Sequence, residues 1–131
     1  MQTTSLYESA KKFFSEFNAA FSTFDGNVVA TRYAAPYLAV RGDGTSESFV
    51  SREDIADYFQ NVLDKYHRTG CRSCRHKDLN IVAVGSGAVF ATVTWELLGS
   101  DGHVVITWRE SYNLVWSLGE LKACASMDHA L

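Results

Sequence analysis

Hydrophobic and polar positions alternate with period two along Ala88 to Trp116, broken only at Gly99-Ser100-Asp101-Gly102. Successive side chains of a strand point to opposite faces, so the pattern predicts a long hairpin. One face then carries Val89, Ala91, Val93, Trp95 and Leu97 together with Val104, Ile106, Trp108, Glu110, Tyr112, Leu114 and Trp116, whether the loop is two or four residues. The other carries Thr92, Thr94, Glu96, Thr107, Arg109, Ser111 and Asn113, a surface suited to water or a polar partner. Glu110 and Tyr112 set a carboxylate and a phenol among tryptophans. A buried ionisable group needs a partner or shifts its pKa, which makes the apolar face the first place to look for function.

Elsewhere the period changes. Leu6, Ala10, Phe13, Phe14, Phe17, Phe21 and Phe24 recur at helical spacing and predict an amphipathic helix with an aromatic inner stripe, ending near Asp25-Gly26. Asn27 to Ala34 reads as a short second helix, and Pro36 forces its predecessor out of the helical region, so a turn is expected there. Tyr37 to Arg41 is a predicted strand, turning at Gly42-Asp43-Gly44-Thr45 and returning through Ser46 to Val50. Ser51 with Asp54 opens a third helix, whose inner face is Ile55, Tyr58, Phe59, Val62, Leu63 and Tyr66 and whose stop is Gly70. The basic run Arg72 to Lys77 leads into a strand from about Asp78 to Val84, then a turn at Gly85-Ser86-Gly87. After the long hairpin, Ser117 to Glu120 turns into a last strand, with Leu121, Ala123, Ala125 and Met127 on one face. The order describes an α+β fold, helices covering one face of a strongly curved sheet.

A chain of 131 residues suits one domain, 1–131, with its own core. With 47% hydrophobic and 13% aromatic residues it is globular in character, and no apolar run reaches the roughly 20 residues of a membrane span, so no membrane partner is expected. A net charge of -3 speaks against non-specific nucleic-acid binding. The stretch Met1 to Ser5 has no basic segment followed by an apolar one, which gives a cytoplasmic expectation. Cys71, Cys74 and Cys124 cannot all pair within one chain, and this suits a reducing compartment.

The element order, with Tyr33-Ala34-Ala35-Pro36, the turn around Gly42-Asp43-Gly44, the helix start Ser51-Arg52-Glu53-Asp54-Ile55 and the closing hairpin Leu114 to Leu121, resembles the NTF2-like superfamily, in its SnoaL-like and ketosteroid-isomerase-like branch. The resemblance implies a cystatin/NTF2-like cone: three helices from the first half of the chain packed on a curved antiparallel sheet, a pocket at the open end, and a homodimer, here through the Thr-rich sheet face. The isomerase pattern itself does not carry over. Its helix tyrosine falls at about Phe14 or Ser15, its basic aspartate near Arg41 and its protonated aspartate near Tyr112. An arginine stays protonated at neutral pH and cannot abstract a proton.

What remains is Arg41, Glu110 and Tyr112 as candidate catalytic residues, converging beside Phe14, Tyr37, Trp95, Trp108 and Trp116 as ligand-binding residues. In this reading Arg41 keeps Glu110 ionised as a base and Tyr112 donates a hydrogen bond. The function expected is binding of a small, partly aromatic ligand. It extends to metal-independent lyase, isomerase or hydrolase chemistry on a carbonyl- or acid-bearing compound, with no cofactor. The alternative is a non-catalytic ligand-binding or dimerisation module with a self-satisfied Arg–Glu pair. His67, Cys71, Cys74 and His76 bring four potential metal ligands into ten residues, but as one linear segment among five Lys and Arg residues, a poor zinc geometry.

Overall fold

The computed structural model describes residues 3–129, so Met1, Gln2, Ala130 and Leu131 lie outside it. Helix α1 (Thr3–Phe21) buries Leu6, Ala10, Phe13, Phe14, Phe17 and Phe21, the stripe its spacing predicts. Helix α2 (Gly26–Ala30) starts at Asp25, whose side chain accepts from the Asn27 N–H. It is shorter than the predicted Asn27–Ala34 helix. The Arg32 carbonyl accepts from the Ala123 N–H at 2.9 Å and Tyr33 pairs with Ala123, so sheet pairing claims these residues.

Strand β1 (Tyr33–Val40) therefore runs through Pro36, by way of a cis Ala35–Pro36 peptide, where a turn was expected. Strand β2 (Ser46–Phe49) returns against it. Helix α3 (Arg52–Arg68) opens at Ser51, whose hydroxyl accepts from the Asp54 N–H at 3.1 Å. Strands β3 (Ser73–Ala83), β4 (Ala88–Leu98), β5 (Val104–Ser117) and β6 (Glu120–Asp128) follow. The curved six-stranded sheet has the order β2-β1-β6-β5-β4-β3 and is antiparallel except where β1 lies parallel to β6. The three helices pack on one face. Among the described residues no helix is long and apolar enough to cross a membrane.

The long hairpin has the expected register. Leu97 faces Ile106, Trp95 faces Trp108, Val93 faces Glu110, Ala91 faces Tyr112 and Val89 faces Leu114. A bulge after Leu97 moves Val104 opposite Leu98 and leaves it exposed, so it does not join the inner face. Strand β3 begins at Ser73, not Asp78, because the basic run itself alternates. Arg75 and Lys77 point outward to Glu96 at 2.8 and 3.4 Å, while Cys74 is buried on the inner side. Near the other end of the sheet the buried Arg32 bridges Glu16 of α1 and Glu120 at the start of β6 at 2.5 and 3.2 Å.

One irregularity decides what faces the helices. Asn113 pairs with Ala125 but Leu114 pairs with Ala123, so Cys124 is an extra residue in β6. Before it Leu121 and Ala123 are buried; after it Ser126 is buried and Met127 is exposed. The expected face Leu121, Ala123, Ala125, Met127 is thus broken in the middle, and Ser126 and Asp128 turn inward.

Candidate functional site

A cavity of about 90 Å³ opens between the inner sheet face and α3. That is several times the roughly 10–15 Å³ one water needs on the same measure. Strand β1 supplies Tyr33 and Tyr37, helix α3 supplies Tyr58, Phe59 and Tyr66, the hairpin supplies Trp95, Trp108, Glu110 and Tyr112, and β6 supplies Ser126 and Asp128. Arg41, partly exposed, and Asp128, exposed, stand at the mouth.

The rings form a continuous lining. Tyr33 lies 4.7 Å from Tyr37 and 4.5 Å from Phe59, centroid to centroid, and Tyr66 stacks on Trp108 at 6.1 Å. Such contacts hold the rings in place beyond simple area burial. Phe14 is fully buried and packs 5.6 Å from Tyr112 and 5.9 Å from Trp95; it supports the lining from behind and is not part of it. Trp116 is 39% exposed at the far end of β5 and does not line the cavity, so this expected ligand contact drops out.

Glu110 is buried at the floor. The Trp108 indole N–H donates to its Oε1 at 2.9 Å, and the Ser126 and Tyr112 hydroxyls stand close enough to favour its ionised form. The Trp95 indole N–H donates to the Tyr112 hydroxyl oxygen at 2.7 Å, which leaves the Tyr112 proton free to be donated elsewhere. Tyr37 and Ser126 share a 2.5 Å hydrogen bond, joining a second ring to the same network. Opposite Glu110 on β6 is Asp128, its carboxyl within hydrogen-bonding reach.

Arg41 does not make the expected pair with Glu110. Its guanidinium binds Glu47 of β2 at 3.0 Å, because Ala39 and Glu47 are cross-strand partners and the hairpin end brings Arg41 beside them. Burial and then the neighbouring Asp128 push Glu110 up to about 8. Burial raises Asp128 as well, while Glu110 and Arg41 pull it back. Near neutral pH the two carboxyls hold one proton between them, and Glu110 keeps the larger share where the sequence reading made it an ionised base. The isomerase pattern had put a protonated carboxyl near Tyr112; the carboxyl that burial protonates is Glu110, two residues before. Ser126 and Asp128 were not foreseen, since only the Cys124 bulge turns them inward.

Among the described residues no three His, Cys, Asp or Glu side chains cluster as ligands. The Cys74 thiol faces Asn18 Oδ1 at 3.6 Å, Asn18 Nδ2 meets His76 Nδ1 at 3.0 Å, and burial pushes Cys74 up to about 12. A thiol held protonated this firmly is a core group and not a nucleophile.

A family model described as NTF2-like protein (DUF6841) matches residues 7–130. No curated protein matches the chain. Among solved structures, a protein of unknown function with a cystatin-like fold from Nostoc punctiforme PCC 73102 superposes with a TM-score of 0.77 at 12% identity, covering 98% of this chain and 94% of its own. Aln2 from a Streptomyces species gives 0.75 at 17% identity, covering 98% and 93%. An NTF-2 like protein of unknown function from Shewanella oneidensis MR-1 gives 0.73 at 8%, covering 95% and 98%. At these identities the likeness is one of fold.

Proposed function

The chain belongs to the NTF2-like family DUF6841, and from that premise we propose that it binds a small, flat, largely apolar molecule in the aromatic cavity and exchanges a proton with it through Glu110 and Asp128. The observation that carries this reading is the carboxyl pair itself, buried at the floor of a ring-lined cavity large enough for a guest. A group whose pKa sits near the working pH gives and takes a proton with equal ease. Glu110 is the donor and Asp128 the acceptor, Tyr112 and Trp108 hold Glu110 in place, and Tyr37 acts through Ser126. Arg41, with Glu47, sets the charge at the mouth. An anionic guest is the poorest fit to this floor, which narrows the ligand to neutral or cationic compounds.

The test is a thermal-shift screen of small aromatic carbonyl compounds and amines against the wild type and Glu110→Gln. A ligand that binds only the folded form must raise Tm. The reading expects hits on the wild type that Glu110→Gln loses while its own Tm stays at or above the wild-type value. A blank screen of the wild type sinks it.

We further propose a homodimer through the outer sheet face. Leu38, Ala125, Asn113, Phe90 and Val82 follow one another on a single rung across five strands, and Leu38, Phe90 and Val82 are 39 to 48% exposed. A solvent-facing apolar row of this kind is what a partner sheet covers. Three unpaired thiols support a reducing, cytoplasmic setting.

A further inference from the structure

We propose that the guest of this cavity is a small organic cation, a protonated amine carried on a compact flat group; the inference rests on the cavity being the ligand site named above. Charge is the first ground. Among the described residues the cavity wall holds two carboxyls on one rung, Glu110 and Asp128, and a single cation, Arg41, whose guanidinium is committed to Glu47. Arg41 acts on Asp128 from the mouth while paired with Glu47, and no positive group stands at Glu110 on the floor. Sharing a proton is what two close carboxyls do when no cation is at hand, and an ammonium group is the missing countercharge.

The walls are the second ground. Tyr33, Tyr37 and Phe59 stand in mutual ring contact, and Tyr66 and Trp108 stack on one another. Ring faces carry negative potential and attract a cation within about 6 Å of the centroid, most strongly where water is excluded.

The third ground is the Tyr33 hydroxyl. Tyr33 is 6% exposed and lines the cavity, and among the described residues its hydroxyl has no hydrogen-bond partner. No fully sealed side-chain nitrogen or oxygen among them lacks a partner, so this hydroxyl opens onto the cavity. A phenol oxygen accepts an ammonium N–H, and the carboxylates accept the others as charge-assisted bonds. When the amine enters, its single positive charge balances the single negative charge of the pair, which keeps its shared proton. No covalent bond to the ligand forms.

Three probes of one shape and different charge test this: benzylamine, benzyl alcohol and benzoate, titrated calorimetrically and by Tm against the full chain at about pH 7, where the amine is protonated. Benzylamine is expected to bind about ten-fold or more tightly than benzyl alcohol, the size of one charge-assisted bond, with benzoate silent. Asp128→Asn, at the mouth, is expected to erase the amine's advantage over benzyl alcohol, its own Tm without ligand checking that it is folded. Equal or tighter binding of benzyl alcohol or benzoate overturns the cation and leaves the small-molecule reading standing, as does an amine advantage that survives Asp128→Asn. Silence from all three, in the absence of any other hit, overturns both.

Discussion

Glu110 and Asp128 face one another across the β5–β6 ladder with their carboxyls within hydrogen-bonding reach. Glu110 is sealed from water and Asp128 is half in it, so the proton the pair retains belongs mainly to the buried partner. The donors around Glu110, from Trp108, Ser126 and Tyr112, oppose that outcome but do not reverse it. Burial outweighs three hydrogen bonds here because a carboxylate loses more on leaving water than neutral donors return.

Stability should therefore fall through neutral pH. A carboxyl raised from 4.5 to about 8 by folding binds more protons in the native chain than in the unfolded one throughout that interval. Its contribution is complete below about 4.5 and is lost as pH rises through about 8, a drop on the order of a few kcal/mol. Asp128 shifts in the same direction. Glu96, Asp43 and Asp101 are lowered and have the opposite sign, losing stability only as pH falls through the carboxylate range. Glu110→Gln cancels the neutral-pH slope and keeps the acid limb. Denaturant titrations of both proteins from pH 5 to 9 check this; parallel profiles would contradict it.

Trp108→Phe should raise Glu110 further. The indole N–H at 2.9 Å favours the ionised carboxylate, and phenylalanine fills most of the space without a donor. The side-chain carboxyl resonance of Glu110, followed by ¹³C NMR through a pH titration, should move its midpoint above about 8. A midpoint that falls would mean that water replaces the indole and solvates the charge.

Much of the fold was legible because the hairpin's inner row pairs as its alternation requires, from Val89 with Leu114 to Leu97 with Ile106. The α1 stripe was legible for the same reason at the helical period. The site was legible only in part. Glu110, Tyr112, Tyr37, Trp95 and Trp108 come together because they share that face, whereas Ser126 and Asp128 arrive through an extra residue at Cys124 that no side-chain pattern announces. Arg41 was misjudged because alternation fixes a face but not which carboxylate on the neighbouring strand wins the guanidinium. Trp116 has a favourable face but lies too far along β5 to reach the cavity. The start of β3 was hidden because Arg75 and Lys77 suggest a loop until Glu96 is known to stand opposite.

Native thiol reagents should find little to modify. Burial raises Cys71, Cys74 and Cys124 alike, and Cys74 reaches about 12, so the thiolate fraction at neutral pH is small. Alkylation with iodoacetamide followed by mass spectrometry should label Cys71 and Cys74 only after denaturation, with Cys124, part exposed, the first to react in the native chain. Fast native labelling of Cys74 would show that α1 and β3 part readily around Asn18.

The outer rung sets the oligomer. Leu38→Lys with Phe90→Lys places charge on two of its exposed apolar positions, each at the surface and so tolerated by the monomer. Light scattering should give about twice the chain mass for the wild type and the chain mass for the double variant, with an unchanged circular dichroism spectrum. A wild type that is already monomeric removes the dimer.

The wall that α3 gives the cavity depends on Gly26. The Gly26 N–H donates to Gln60 Oε1 at 2.7 Å, and the Gln60 amide returns to the Phe24 carbonyl at 3.1 Å, so the start of α2 lies directly on α3. A Cβ at Gly26 would come within 2.3 Å of the Ala56 carbonyl oxygen and 2.9 Å of the Gln60 nitrogen, both backbone atoms. Neither can yield without the helices separating. Gly26→Ala should cost about 1–3 kcal/mol in a denaturant titration, the range of overpacked cores. Ligand binding should weaken with it, because Tyr58, Phe59 and Tyr66 ride on the displaced helix. Gly85→Ala is the control, since nothing lies within 4 Å of its Cβ, and it should leave both quantities unchanged. If Gly26→Ala were as harmless, the contact between α2 and α3 would not be what holds the aromatic wall in place.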